Sequence, residues 1–378
     1  MDCKLRILMI EDNPSGLPEQ IQDQLATTGF MDVDLLHPSE VSKEVLRRAA
    51  VVILDHRLDF WEERDALVSV ALKPETGVAL ASVLRSHLGA SDITTFCLLT
   101  AHPEDLVGHS PNERRPQVLA RNVGLDWVFS KEQPLGIAKQ VLSLAGSVAR
   151  VREIMQKTSL PPDEVIMAAL GLDKPPNLSD LVWRSVERCQ PPLVELEEWD
   201  VPMCLIRWLL HRILPYSTFL CDTMYLAVRL RATPESLLEC IDGDSPLAHS
   251  LESRKYAGIL SGFAGKRWWC AAIDDLVWSL REGGLLSQDQ LWEKLCKESI
   301  DTLRPLSIEE PVVCVNEKME SDGIEPLSST VRLQPDDWPS YAPVARAPIE
   351  TVRKSQRLQL LLAEADLELL EDESGVEE

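Results

Sequence analysis

The sequence predicts an α/β protein: a doubly wound, five-stranded parallel sheet followed by a mostly α-helical domain. Three observations carry that expectation. Four apolar runs lie in the first third: Leu5-Arg6-Ile7-Leu8-Met9-Ile10, Val51-Val52-Ile53-Leu54, Phe96-Cys97-Leu98-Leu99 and Trp127-Val128-Phe129. They are rich in branched residues on both faces, as suits central strands covered by helices. Stretches of helical period separate them, the alternation expected of crossover-linked parallel strands. Beyond about residue 177 the strand signal fades. Helical period takes over, with Trp183, Trp199, Trp208, Trp268, Trp269, Trp278 and Trp292.

Each element has its own signal. An amphipathic stretch from Leu17 to Ala26 stops at Gly29. The short run Val33-Asp34-Leu35-Leu36 supplies another strand, and a helix over 39–49 follows with Ser39 as its N-cap. The third strand ends at Asp55, and a long polar segment, 58–75, leads to a helix over 76–88. The fourth ends at Thr100, and the segment 102–116 leads to a helix stopping at Gly124 and to the fifth strand. Residues 135–157 read as one long helix, apolar at Ile137, Val141, Leu144, Val148, Val151 and Ile154. The sheet domain is therefore assigned to 1–150. A proline-rich connection follows over 151–176, with Pro161-Pro162 and Pro175-Pro176, and then a tryptophan-rich helical domain over 177–305. Within it, helices over 201–213 and 217–231 are broken by proline. Prolines and acids dominate 306–348, which reads as a disordered linker. An amphipathic helix regains period near 351–370, with Leu358, Leu361, Leu362, Ala365 and Leu369 on one side, within a 349–378 segment that closes on an acidic tail.

Composition narrows the function classes. At 378 residues the chain has room for two domains of roughly 150 residues. No stretch approaches the about 18 consecutive apolar residues of a membrane helix, so no membrane partner is expected. The N-terminus does not read as a signal peptide. Nine cysteines lie singly, without CxxC, which points to a reducing cytoplasm rather than to disulfides or zinc. The formal charge of −23 argues against a nucleic-acid partner.

The polar residues that close the apolar runs carry the chemistry. In order they are Glu11 and Asp12, then Asp55, Thr100 and Lys131. Ligands of open α/β sheets bind at the carboxyl ends of the strands. Three carboxylates, a hydroxyl and an ammonium would therefore share one rim. Mg²⁺ takes oxygen ligands, commonly one or two carboxylates plus phosphate and water. A carboxylate nucleophile is repelled by an anionic phosphoryl donor. A metal and Lys131 together would offset that charge.

By these residues and their order, 4–145 resembles the receiver domain of bacterial two-component response regulators. The resemblance implies the flavodoxin-like doubly wound fold and transfer of a phosphoryl group from a histidine kinase, or another phosphodonor, onto an aspartate. By position it makes Asp55 the phosphoacceptor. Glu11, Asp12 and Asp55, with the backbone carbonyl of Arg57, would hold Mg²⁺. Thr100 would be the switch hydroxyl and Lys131 the phosphoryl-stabilising lysine. Three positions depart from the family pattern. Asp59 and Glu132 stand where proline is usual, and Val128 occupies the aromatic switch position, between Trp127 and Phe129.

Other candidates are less specific. Lys266-Arg267-Trp268-Trp269 could form a partner-docking or stacking patch, although tryptophans also serve as core anchors. The nearby Gly262, Gly265 and Lys266 do not match phosphate-loop spacing. His102, His109 and His211 lack metal-ligand spacing. Asp222, Asp274 and Asp275 suit ion pairs with Arg229, Arg267 or Arg281. The last amphipathic stretch suits packing back on the chain, a partner's groove or a homodimer. The leading expectation is a cytoplasmic signalling protein in which Mg²⁺-dependent modification of Asp55 controls a helical domain that contacts a protein partner. Two alternatives stay open: a non-phosphorylated pseudo-receiver scaffold in a stress or phage-defence system, and an enzyme with its site in the helical half.

Overall fold

The parallel sheet is built from the apolar runs and sits at the centre of the N-terminal part of the chain. The computed structural model describes residues 5–13, 15–27, 31–59, 61, 74–89, 92–107, 113, 115–156, 160–173, 178–198, 200–300 and 302–371. His109, Trp199, the Pro175-Pro176 pair and the acidic tail lie outside the described residues, as does most of 58–75. The described chain divides into two compact units. One comprises 1–172, 191–211 and 257–264; the other comprises 173–190, 212–256 and 265–378. The division is interleaved, where the sequence suggested consecutive domains.

In the first unit the strands are β1 (Leu5–Ile10), β2 (Met31–Leu36), β3 (Ala49–Asp55), β4 (Thr95–Thr100) and β5 (Trp127–Ser130). They run parallel in the order β2-β1-β3-β4-β5. Helices α1 (Leu17–Ala26), α2 (Lys43–Arg48), α3 (Gly77–Arg85), α4 (Pro116–Asn122) and α5 (Ile137–Gln156) connect or follow them. All six residues of β4 are buried, and β3 is buried up to Leu54. That burial is why their sequences read as continuous rather than alternating runs. Leu8, Ile10, Val52, Leu54, Phe96, Leu98 and Leu119 belong to one core cluster.

The helix expected over 39–49 is shorter than its signal. Pro38–Glu40 forms a 3₁₀ turn closed by a reciprocal cap between His37 and Glu40. Ser42, not Ser39, caps α2, its hydroxyl accepting the Val45 N–H at 3.3 Å. Two local caps compete here, and the more distal one starts the α-helix.

At the end of β3 the chain returns tightly. His56 N–H donates to the Leu99 carbonyl at 3.1 Å, and the Gly77 N–H donates to the His56 carbonyl at 2.9 Å. A Cβ on Gly77 would fall 2.0 Å from the Asp55 carbonyl oxygen and 3.0 Å from Leu98. Only glycine allows α3 to begin this close to the strand end. Gly77→Ala should therefore destabilise the first unit by about 1–3 kcal/mol, the usual range for overpacking. Urea unfolding checks this, and an unchanged midpoint would show that the backbone relaxes freely.

Two later segments complete this unit. Ile259 N–H donates to the Ala169 carbonyl (2.8 Å), Leu260 N–H to the Ser147 hydroxyl (2.6 Å) and Gln140 Nε2 to the Phe263 carbonyl (3.2 Å). Asp126, fully buried just before β5, binds 203–211. Its carboxylate accepts from Phe96 N–H (2.7 Å), Arg85 Nη2 (3.1 Å) and Arg207 Nε (2.7 Å), and His211 Nε2 donates to its carbonyl at 2.7 Å.

The helices of the second unit gather around a core cluster that includes Leu226, Leu237, Leu251, Trp268, Ile273 and Leu295. The unit is not strand-free. Leu220–Cys221 pairs antiparallel with Trp268–Trp269. This corrects the reading of Lys266-Arg267-Trp268-Trp269 as a docking or stacking patch. Trp268 is fully buried and Trp269 nearly so, stacked 5.8 Å from Phe219, and Lys266 pairs with Asp242 at 2.7 Å. Arg267 is only part-exposed, with its guanidinium 3.4 Å from the Leu214 carbonyl. Burying two indoles gains more than displaying them would. Of the proposed ion pairs, Arg229 with Asp274 is formed at 3.0 Å, whereas Asp222 caps the helix Thr223–Leu230.

The linker expected over 306–348 is also corrected. Strands Pro311–Val315 and Ser321–Pro326 form one hairpin, and Thr330–Leu333 with Ala345–Pro348 another pair. Val315, Val331, Leu333, Ala345 and Ala347 are buried together. These alternating apolar residues are few, and the prolines and acids between them mask the period. The single amphipathic helix near 351–370 is likewise replaced by short pieces, Ile349–Lys354, Gln356–Leu360, Glu364–Asp366 and Glu368–Glu371. Extended backbone at Ser355 breaks it, and Leu358 packs into the hairpin core. That part of the stripe is covered by its own unit. No helix among the described residues is long and apolar enough to cross a membrane.

Candidate functional site

Register alone brings the polar strand ends to one rim. Ile10 lies level with Leu54, so Glu11 lies level with Asp55. Asp55 pairs with Leu99 and Thr100 with Ser130, which steps Thr100 and then Lys131 outward around the same edge. Backbone bonds fix these ends: Glu11 N–H to the Leu36 carbonyl (3.1 Å) and Lys131 N–H to the Thr100 carbonyl (2.7 Å).

The side chains converge as expected. Lys131 Nζ lies 2.6 Å from Asp55 Oδ1 and 3.6 Å from Glu11 Oε2. One carboxylate oxygen each from Glu11, Asp12 and Asp55 lies within 4.8 Å of the others. A cavity of about 380 Å³ opens over them, lined also by Asn13, Ser15, His56, Thr100 and His102. Among the described residues this is the one group of three or more His, Cys, Asp or Glu side chains placed to hold a metal ion.

Its electrostatics favour a bound cation. Glu11 and Asp55 share the Lys131 ammonium with Asp12 beside them, and Glu11 is only 5 % exposed. Burial, then the negative charge and hydrogen bond of Asp55, push the Glu11 carboxyl from 4.5 up to about 8, with Lys131 pulling the other way. An all-oxygen donor set of this kind suits a hard divalent ion. The residues present therefore fit a metal.

The sign of the resulting pH dependence follows. Between pH 4.5 and about 8 the unfolded chain has released the Glu11 proton while the folded metal-free chain still holds it. Stability of the metal-free protein should fall as pH rises through that window. Divalent-ion binding should expel the proton. Calorimetric Mg²⁺ titrations at pH 7 in buffers of different ionisation enthalpy should show proton release that Glu11→Gln removes. Buffer-independent heats in the unaltered protein would show that Glu11 is already ionised.

The remaining expected residues take distinct positions. Thr100 is buried, and its Oγ1 accepts the His102 N–H at 2.9 Å, leaving its own proton available to donate. The Arg57 side chain turns to Asp105, with Nη2 2.8 Å from Oδ2. The turn bonds of this loop use the His56 and Glu75 carbonyls rather than the Arg57 carbonyl. His102 pairs with Glu104 at 3.1 Å. Val128 and Phe129 are buried, and Trp127 meets Phe263 edge-on at 5.0 Å. Sequence reasoning missed His56 and Asp105. The buried imidazole of His56 lies 3.6 Å from Asp105, and its desolvation holds its pKa below the usual value. The adjacency of His56 to Asp55 was the available signal, but nothing in the sequence marked Asp105.

No protein-family model matches the chain, and no curated protein matches it in sequence.

Proposed function

We propose that the first unit is a receiver-type module, flavodoxin-like in its strand order, that accepts a phosphoryl group on Asp55 in the presence of Mg²⁺. The observation that carries this reading is the Lys131 ammonium 2.6 Å from Asp55, at a strand-end rim shared with Glu11 and Asp12. The strand order β2-β1-β3-β4-β5 supports it, being the order of sheets that bind phosphate-bearing ligands at this edge.

The chain's residues divide the work. Asp55 attacks the phosphorus of an anionic donor, forming an acyl phosphate as the donor's bond breaks. Lys131 neutralises charge on the equatorial oxygens of a loose transition state. Glu11, Asp12, Asp55 and the Arg57 carbonyl would hold Mg²⁺, which supplies further charge neutralisation when bound. The Thr100 hydroxyl would then donate to a phosphoryl oxygen, drawing on its loop and reporting the modification. A histidine kinase or a small acyl phosphate would serve as donor, and a protein partner of the helical unit would receive the output.

Incubation with acetyl phosphate and Mg²⁺ tests the reading. Intact mass should rise by one phosphoryl group in the unaltered protein, and Asp55→Asn should show no rise. No increase under conditions that modify a control receiver would leave the pseudo-receiver scaffold as the better account.

A further inference from the structure

Asp105 stands outside the carboxylate cluster, yet it holds the chain that leaves Asp55. It lies in the 3₁₀ turn Pro103–Leu106 after β4 and is not one of the described residues that line the cavity. Two successive side chains beyond Asp55 reach it. Arg57 Nη2 donates to Asp105 Oδ2 at 2.8 Å, and His56 Nε2 lies 3.6 Å from the same oxygen. The anchor is firm, because Leu106 and Val107 are buried in the core cluster that also contains Leu58. The backbone at Arg57 has no such anchor of its own. Gly77 N–H donates to the His56 carbonyl (2.9 Å) and Leu58 N–H to the Glu75 carbonyl (3.2 Å), on either side of the antiparallel bridge between Arg57 and Thr76. Arg57 and Thr76 are thus a non-hydrogen-bonded pair, and no bond of this turn ends on the Arg57 carbonyl. What fixes Arg57 itself is its side chain.

We propose that Asp105 is a positioning residue for the metal site: by holding the Arg57 side chain, with His56 beside it, it sets the placement of the Arg57 carbonyl and so the affinity for a divalent ion. The proposal rests on the reading above, in which that carbonyl joins Glu11, Asp12 and Asp55 around Mg²⁺. Arg57 lines the cavity, so a shift at its side-chain anchor reaches the site. Residues behind a metal ligand orient it, and losing one commonly costs 10- to 100-fold in affinity. The ion's identity matters too. Mg²⁺ demands near-ideal octahedral placement of its oxygens, whereas Ca²⁺ accepts longer and more flexible coordination. Loosening the tie should therefore weaken Mg²⁺ binding more than Ca²⁺ binding, an asymmetry that loss of a distant negative charge would not produce.

Calorimetric titration of the full chain with Mg²⁺ alone, and separately with Ca²⁺, is the test. Asp105→Ala should weaken Mg²⁺ binding about tenfold and Ca²⁺ binding by less. Asp105→Asn removes the charge but keeps an oxygen for Arg57, and should recover most of the Mg²⁺ affinity. Arg57→Met added to Asp105→Ala should cost little more, because the two side chains act as a pair. Hydrogen exchange of the metal-free protein reads the same tie without an ion: Asp105→Ala should speed exchange at 56–58 while the urea midpoint stays unchanged. Unaltered Mg²⁺ affinity in Asp105→Ala would overturn the proposal. Equal losses in Asp105→Asn and Asp105→Ala would do the same, by making Asp105 a source of charge only. Both results leave the metal reading standing. Absence of Mg²⁺ binding in the unaltered protein would remove that reading and this proposal together.

Discussion

Lys131→Met should lower the rate of phosphoryl transfer from acetyl phosphate to Asp55 by about 100- to 1,000-fold, the usual effect of deleting one preorganised charge from a transition state. Metal binding should move the opposite way. Nζ lies 2.6 Å from Asp55 and 3.6 Å from Glu11, so it competes with any divalent ion for the same carboxylates. Its removal takes the ammonium away from Glu11 and Asp55, and Mg²⁺ should bind more tightly in consequence. Parallel measurement of Mg²⁺ affinity and labelling rate separates the two roles. Loss of both together would mean that Lys131 holds the site's shape rather than the charge of the transferring group.

The second large effect concerns stability. Asp126→Asn should destabilise the first unit by about 1–3 kcal/mol, because it removes the charge of a buried carboxylate shared by three donors, while Arg85 and Arg207 keep partial access to water. Asp126 has no exposed surface and receives Phe96 N–H, Arg85 and Arg207 at once. The complementary Arg207→Met should cost less, because the Arg207 side chain is 43 % exposed and the retained Asp126 keeps Arg85 and the Phe96 amide. Hydrogen exchange at β4 and β5 during urea titration reads both variants. Equal, small losses would show that the carboxylate contributes little beyond its local backbone bond.

These effects also mark what was legible in the sequence. The strand runs could be read because both faces of the sheet are covered, so their apolar character is unbroken. Their polar ends could be placed at one rim because parallel strands deliver their carboxyl ends to the same edge. Helix α1 shows the same clarity, bounded as expected at Leu17–Ala26. Other features left no such trace. Arg207 reaches Asp126 across 81 positions, a spacing no periodicity encodes. The strictness at Gly77 arises from a carbonyl of another element, and the raised Glu11 pKa from burial that only the closed fold creates. The strands in 311–348 were obscured because their short apolar alternation is diluted by proline and acidic residues. At Trp268-Trp269 the chemistry of the residues was suggestive, but burial decides the outcome.

The most direct measurement is chemical mapping of the phosphoryl linkage. After incubation with acetyl phosphate and Mg²⁺, borohydride reduction converts an aspartyl phosphate into homoserine, which peptide sequencing by mass spectrometry locates. Homoserine at position 55, and its absence when Mg²⁺ is chelated, is the result expected from five converging side chains. Homoserine at another carboxylate, or none in a protein that binds Mg²⁺ normally, would contradict the account.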